Sequence, residues 1–544
     1  MTIAGGRPQQ NNYRLDGISV NDYANSTPGS TIGLSLGTDS VQEFSVISNN
    51  YSAAYGLTSG GVINAVTRSG GSDFHGSAYE FLRNDRMDAR GFFDAAKLPF
   101  RRNQFGAAAG GPIIKNRLFF FANYEGLRQS LTTTTIDTVP SPNARNGILC
   151  ANAQCTQTKT VQVDASIQPY LGLFAMPNST ISGDTGLYSF AGKAATPENY
   201  FTSRLDFNIS ANDNLHGTYV LDRGSTTQPD SLNVISNANT VNRQVASVEE
   251  THVFNASFMN TARAGVNREV ALTLATAPGA NPLGTDNTLG VVPGLWAPVI
   301  QVTGLTAFGG GLNGTSYGNY WFTTYQAYDD AFLMKGMHSI KFGFALERID
   351  SNFLLAANPD GVYRFNTLSD FLTNKPAAFQ FQYGTLTPRG ARQSVYGGYA
   401  EDDIHLKKDL TVNIGLRYEM STVPYEVNGK FANLRTLSSP QIYTGGPLFQ
   451  NPTMHNFEPR VGLAWDPFGT GRTSVRAGFG MFDVLPLTYQ FNLAEVSAAP
   501  FNRWPVPPVP QRSPDRSRGQ PSRWYSRRAR CARRISNTIL HETT

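Results

Sequence analysis

Segments of about ten residues in which apolar and polar side chains strictly alternate recur along this chain, and they constrain its fold more than any other feature. Successive side chains of a strand point to opposite faces, so each segment reads as a β-strand with one apolar and one polar face. In 338–347, Ile340, Phe342, Phe344 and Leu346 oppose Lys341, Gly343, Ala345 and Glu347. In 411–419, Val412, Ile414, Leu416 and Tyr418 oppose Thr411, Asn413, Gly415, Arg417 and Glu419. The same pattern holds for Val475, Ala477, Phe479 and Met481, and for Leu205, Phe207 and Ile209. About ten residues is the length a tilted strand needs to cross a bilayer. Roughly a dozen such strands are expected between residues 73 and 490, and helical patterning is nowhere sustained.

Short polar links such as ANDN, HLKKDL and DPFGTG separate some of these segments and read as tight turns. Others are separated by long links rich in Ser, Thr, Asn, Gly and Pro, notably 131–198 and 275–315. Short turns alternating with long loops suit an antiparallel barrel with its long loops on one face. A soluble β-sandwich or propeller would show shorter strands and less loop, and no fixed propeller period is present. There is no apolar run of 18 residues, hence no transmembrane helix, which says nothing against membrane-spanning strands. Charged residues make up 16% of the chain, against about 25% in average soluble domains.

The formal charge of +5 does not describe the body of the protein. From Trp504 onward there are nine arginines, Asp515 and Glu542, a net +7, which leaves −2 for residues 1–503. A nucleic-acid partner is therefore not expected. The tail 504–544 is Arg/Pro-rich, lacks alternation, and reads either as a disordered basic arm or as out-of-frame translation; its abrupt change of composition favours the second. Cys150 and Cys155 lie in the polar loop GILCANAQCTQ, where a disulfide and two free thiols are both open readings. The start MTIAGGRPQQNNYRLDG has no basic and apolar signal-peptide regions, so the chain is expected to be a piece of a longer exported protein.

Several blocks carry a family resemblance. GGRPQQNNYRLDGISVND and DSVQEFSVISNNYSAAYGLTSGGVINAVTRSGGSDFHGSAYEFLRND resemble the second half of a TonB-dependent receptor plug and its passage into the barrel, in the Oar-like group. FRRNQFGAAAGGPIIKNRLFFFANYEGLRQS, YAEDDIHLKKDLTVNIGLRYE and EPRVGLAWDPFGTGRTSVRAGFG are similar to barrel strand pairs of that family. Within the first blocks, VQEFSVI and GVINAVT read as short strands, with Gly60 and Gly61 at a turn.

The resemblance implies an all-β protein: a partial transmembrane antiparallel β-barrel preceded by the C-terminal half of a plug. The domains would be 1–72 for the plug part, 73–503 for an incomplete outer-membrane barrel with long loops, and 504–544 for the tail. It implies an outer-membrane location for the full-length parent. Its function would be ligand uptake driven by the TonB energy-coupling complex, acting through a segment upstream of Gly5, with outer-membrane lipid as surroundings. The alternative is a non-transporting surface or adhesion barrel. Family members take siderophores, cobalamin or glycans, and no residue here is carried over as a ligand contact. Alone, this chain is expected to be neither a stable barrel nor a working transporter, because an open barrel leaves unpaired edge groups in lipid.

Chemistry-bearing motifs are weak. Gly33–Gly37 and Gly314–Gly318 match G-x-S-x-G but lack the helix a nucleophile elbow needs. Gly309, Gly311 and Gly314 spell G-x-G-x-x-G ahead of strand-type sequence, not the helix that would cradle a pyrophosphate. His75, His216, His252, His338, His405 and His455 are scattered. Asp402, Asp403 and His405, and likewise Asp329 and Asp330, are split between faces by alternation. The aromatic clusters Phe119–Phe121 and Tyr320, Trp321, Phe322 and Tyr325 read as an aromatic girdle at the lipid interface in preference to a stacking platform. No enzyme activity, catalytic residue, metal site or cofactor is expected, and the substrate-binding residues are unknown.

Overall fold

The computed structural model describes residues 2–3, 5–27, 37–90, 96–279, 281–291, 294–312, 317–381, 387–451 and 454–501. The tail 504–544 and most of both G-x-S-x-G matches, together with Gly314 of the glycine motif, lie outside these residues.

Four strands between residues 12 and 67 form a small sheet. Strands β1 (Asn12–Leu15), β2 (Ile18–Ser19), β3 (Val41–Ile47) and β4 (Val62–Thr67) lie in the order β2-β1-β4-β3. The pair β1–β4 is parallel and the others are antiparallel. Asp16 and Gly17 make the β1–β2 turn with φ of 47° and 78°. A two-residue hairpin loop of this kind needs positive φ at both positions, which Asp-Gly supplies.

The remaining strands build one large antiparallel sheet. β5 (His75–Asn84), β6 (Phe100–Ile114), β7 (Leu118–Pro140), β8 (Thr185–Asn208), β9 (Asp213–Pro229), β10 (Ile235–Asn255) and β11 (Phe258–Pro278) follow one another. β12 (Tyr317–Lys335), β13 (His338–Ala356), β14 (Arg389–Lys407), β15 (Leu410–Ser421), β16 (Phe457–Trp465) and β17 (Val475–Gly480) continue the series. Each pairs with its sequence neighbour, an up-and-down meander from β5 to β17. The expected dozen strands are thirteen, and the alternation fixes their faces. Phe342, Phe344, Ile414 and Leu416 are exposed on the outer face, while Glu347, Arg417 and Glu419 are buried on the inner one.

Turns at one end are short (209–212, 256–257, 336–337 and 408–409), whereas 141–184, 279–316, 357–388 and 422–456 are long links at the other. Described parts of three of these links pack together. Val299–Val302 pairs in parallel with Val362–Phe365, which pairs with Ala378–Gln380, so two separate links share one small sheet. Under it lies a core that includes Leu149, Phe174, Ile300, Phe308, Phe365 and Phe371. Cys150 and Cys155 are disulfide-bonded within this cap. Asp360 is buried in it, and that burial pushes its carboxyl up to about 7 despite a hydrogen bond from the Trp296 amide. The long strands β7 and β8, of 23 and 24 residues, outrun the bilayer and carry the cap above it.

Among the described residues β5 and β17 do not pair, so the barrel is open along two edges. Unpaired backbone groups in hydrocarbon cost several kcal/mol each. The chain refolded by itself into detergent is therefore expected to show no heat-modifiable gel migration and no cooperative β-sheet melting. Appearance of both would refute this.

Candidate functional site in the lumen

The small sheet lies in the concavity of the large one and is held there by side chains from many wall strands. Gln326 on β12 exchanges two hydrogen bonds with the Ser19 backbone, each of 2.8 Å. Arg243 on β10 donates to the Val20 carbonyl and pairs with Glu269 on β11 at 2.9 Å. Glu269 in turn accepts from the Tyr23 amide. Asp16 accepts from the amide and hydroxyl of Thr67 and meets Arg204 of β8. Asp22 sits at this interface, and burial, reinforced by nearby Glu269 and opposed by Arg243, raises its carboxyl to about 6.

The densest attachment grips the link between β3 and β4. Residues 51–58 are irregular, so their backbone groups have no ladder to satisfy them and need partners from elsewhere. Three wall strands supply those partners. Glu401 on β14 accepts from the Ser52 hydroxyl at 2.6 Å and the Ala53 amide at 2.7 Å. On β15, Glu419 accepts from the Leu57 amide at 3.1 Å, and Arg417 donates to the Ala53 carbonyl at 2.9 Å. On β16, Arg460 donates to the carbonyls of Ser52 at 2.6 Å and Tyr55 at 2.9 Å. Its guanidinium also stands over the rings of Tyr51 and Phe482.

Glu401 pairs with Lys341 of the neighbouring β13 at 3.3 Å, and the gripping charges of β15 and β16 are neutralised within their own strands. Arg417 pairs with Glu419 at 2.6 Å, and Arg460 with Glu458 at 2.8 Å. Both pairs are two residues apart and so share the lumen face. The β15–β16 register sets Arg417 opposite Glu458, so neighbouring strands alternate in sign. All four side chains are almost fully buried. Removing one member of such a pair leaves a buried charge unmet, at a cost of about 3–5 kcal/mol. Gly56 is required beside them, because a Cβ there would overlap Glu419 and Arg417.

The residues singled out from sequence fall as alternation dictates, and for the aromatics that outcome contradicts the girdle reading. Asp402 meets His338 at 2.6 Å, whereas Asp403 accepts from Asn413 and Lys341 reaches it at 3.8 Å. Asp329 bonds Asn260, and Asp330 takes the Tyr399 hydroxyl and Arg263. The girdle reading fails for Phe121, Tyr320 and Phe322. Phe121 is buried, Phe322 packs in an inner core with Leu485 and Leu487, and Tyr320 stacks on Tyr23 at 3.8 Å. Only every second residue of such a run faces outward, as Tyr325 does at 50% exposure. Asp213, Glu250 and His252 gather within 4.8 Å at the short-turn end, a cross-strand proximity that spacing along one strand does not reveal. The grip has only a faint local signal in the sequence, charged residues two apart, R-Y-E and E-P-R, on otherwise uncharged strands.

An antiparallel meander with an apolar outer face, short turns at one end and a polar lumen is the architecture of an outer-membrane barrel. The chain belongs to that family: the model for the outer membrane beta barrel domain matches residues 66–521. It lies in the outer membrane. It is 36% identical over 135 residues to the TonB-dependent transporter Oar of Myxococcus xanthus, an alignment covering 23% of this chain and 12% of that one. Its fold is similar to the outer membrane transporter YddB of Escherichia coli, with a TM-score of 0.52 and 14% identity over 88% of this chain and 54% of the other. The chain thus spans about half the length of that structure and a smaller share of Oar. These relatives are transporters.

Arg460→Ala takes the donor from the carbonyls of Tyr51, Ser52 and Tyr55 and strands Glu458. It is expected to loosen residues 51–58 by about 3–5 kcal/mol. Protease cleavage there, in the membrane-assembled protein, should rise while the wall strands stay protected. Equal resistance in variant and parent would contradict the grip.

Proposed function

We propose that this chain is the inner plug portion and thirteen wall strands of a TonB-dependent outer-membrane transporter. Residues 1–72 act as the C-terminal part of the plug, 73–503 as wall and loops, and 504–544 as a tail outside the transport machinery. Further wall strands, outside the described residues, close the barrel in the complete transporter. The chain performs no catalysis. Its partners are outer-membrane lipid, the TonB complex and a ligand captured on the long-loop side.

One observation carries the reading. The small sheet is attached to the lumen by hydrogen bonds and ion pairs to β8, β10, β11, β12 and β14–β16, with only small apolar patches between. Such attachments exchange for water one at a time, at a net cost of about 0.5–1.5 kcal/mol between neutral groups and about 1.5–3 kcal/mol to charged ones. An apolar interface of the same extent would resist parting in water far more strongly. A polar-held plug can therefore be displaced stepwise by a directed pull and can re-dock. The similarity to Oar and to YddB supports a transporter over a scaffold. The adhesion alternative draws support from the cap, which presents a pre-folded outer surface.

The test is a cysteine placed at Ser52 in the complete transporter, probed in cells with an impermeant thiol reagent. Labelling is expected only when TonB and the proton gradient are both intact. Labelling that ignores TonB would reject transport in favour of the scaffold.

A further inference from the structure

β17 ends at Gly480 after six residues, and the chain then turns into the lumen instead of running on beside β16. Residues 482–497 cross the lumen on the cap side of the small sheet. Their wall partners, Phe322, Ile349, Gln393 and Val395, lie in the long-link halves of β12, β13 and β14. This strap contains a single turn at Thr488–Gln490 and a short helix at Asn492–Ser497, and it joins no sheet among the described residues.

The strap touches three bodies at once. At its start the Phe482 ring lies 4.6 Å from that of Tyr51, and Arg460 stands over both, so the strap begins on the grip itself. In its middle Leu485 and Leu487 are buried among the wall residues and pack against Tyr23 and Leu57 of the plug part. The side chain of Gln393 holds this stretch by two hydrogen bonds, donating to the Pro486 carbonyl at 2.8 Å and accepting from the Thr488 amide at 2.9 Å. At its far end Phe491 and Phe449 set their ring centres 4.8 Å apart, and Val496 packs on the cluster that includes Phe431. Phe431 and Phe449 belong to the long link 422–456.

The two sides of the small sheet are sealed differently. Beneath it, among the short-turn halves of the wall strands, a chamber of about 360 Å³ is left. On the cap side the voids between strap and small sheet are about 10 and 30 Å³, room for no more than a water or two. The strap is therefore the layer that covers the small sheet from the side of the long links.

We propose that residues 482–497 are a gate over the plug, coupled to the long link 422–456. Docked, the gate covers Tyr51 and Leu57 at either end of the gripped link. Cargo that draws the link 422–456 toward itself removes the packing partners of Phe491 and Val496, and the strap undocks with them. A segment without ladder pairing, whose middle hangs on one glutamine, belongs to the low-stability class from which moving elements are drawn. The gate takes its purpose from the transport reading, but its docking and its coupling to the link can be measured without transport.

The experiment follows the reaction of Thr488→Cys with a water-soluble maleimide, using the complete transporter in detergent without TonB or cargo. Thr488 is buried and its hydroxyl has no hydrogen-bond partner among the described residues, so the reporter costs the strap little. Its reaction should be far slower than that of Leu437→Cys, a fully exposed position in the link 422–456. Gln393→Ala, which removes both hydrogen bonds, should speed the Thr488→Cys reaction by about tenfold or more. Phe449→Ala, which touches only the far end, should speed it by about threefold or more. Leu437→Ser, in the same link but away from the strap, should leave it unchanged. Unaltered heat-modifiable migration certifies that each variant is folded. A Thr488→Cys reporter as fast as Leu437→Cys, or a rate unmoved by Gln393→Ala or by Phe449→Ala, would overturn the proposal. Either failure would leave the TonB-dependent labelling of Ser52→Cys intact, and loss of that labelling would leave the strap's docking and coupling as measured.

Discussion

Everything inside this barrel depends on how eight irregular residues satisfy their backbone. The wall solves the same problem by ladder pairing, since a strand in lipid has no other source of partners. The link 51–58 has no ladder, and it lies where water is scarce. Its amides and carbonyls are met by Glu401, Glu419, Arg417 and Arg460, side chains whose own charges cancel along β15 and β16 and, for Glu401, against Lys341 of β13. Without these four the small sheet would still find Arg243, Gln326 and Arg204, but the link 51–58 would lose the side chains that meet its backbone.

The choice of charge over apolar packing has a mechanical consequence. A charged side chain aimed at backbone groups specifies one docking position, because a shift of one residue strands several buried charges together. It also lets go into water without exposing a large apolar face. The cap at the opposite end is built on the other principle. Its core of Leu149, Phe174, Ile300, Phe308 and Phe371 ties distant links into one body, as packed apolar clusters do. The cap is held by apolar packing, and the small sheet is held in the lumen by polar contacts.

Much of the wall was legible in the sequence because alternation is a local signal. The faces of β13 and β15 can be read from residues 338–347 and 411–419, and the tight turns from their polar links. Strands 41–47 and 62–67 were legible from the short runs VQEFSVI and GVINAVT. The grip was not, because it joins Ala53 to Glu401 and Arg417 across hundreds of residues, and pairing at that distance leaves no trace in local pattern. Arg417 and Glu419 were placed on the polar face, which is as far as periodicity reaches. The aromatic run Tyr320–Tyr325 was misread as a unit although the same alternation divides it. The cap was read as loop because its order comes from contacts between links far apart in sequence.

The central claim is that residues 51–58 dock on β14–β16 in the assembled protein. Ala53 and Gly415 test it most directly, since a Cβ built on Gly415 falls 3.2 Å from that of Ala53, close to the separation a disulfide needs. With Ala53→Cys and Gly415→Cys in the complete transporter, mild oxidation in outer membranes should cross-link the two in nearly every molecule. Uptake should stop and return on reduction. Failure of the pair to cross-link, while each cysteine alone is reactive, would contradict the docking on which the account rests.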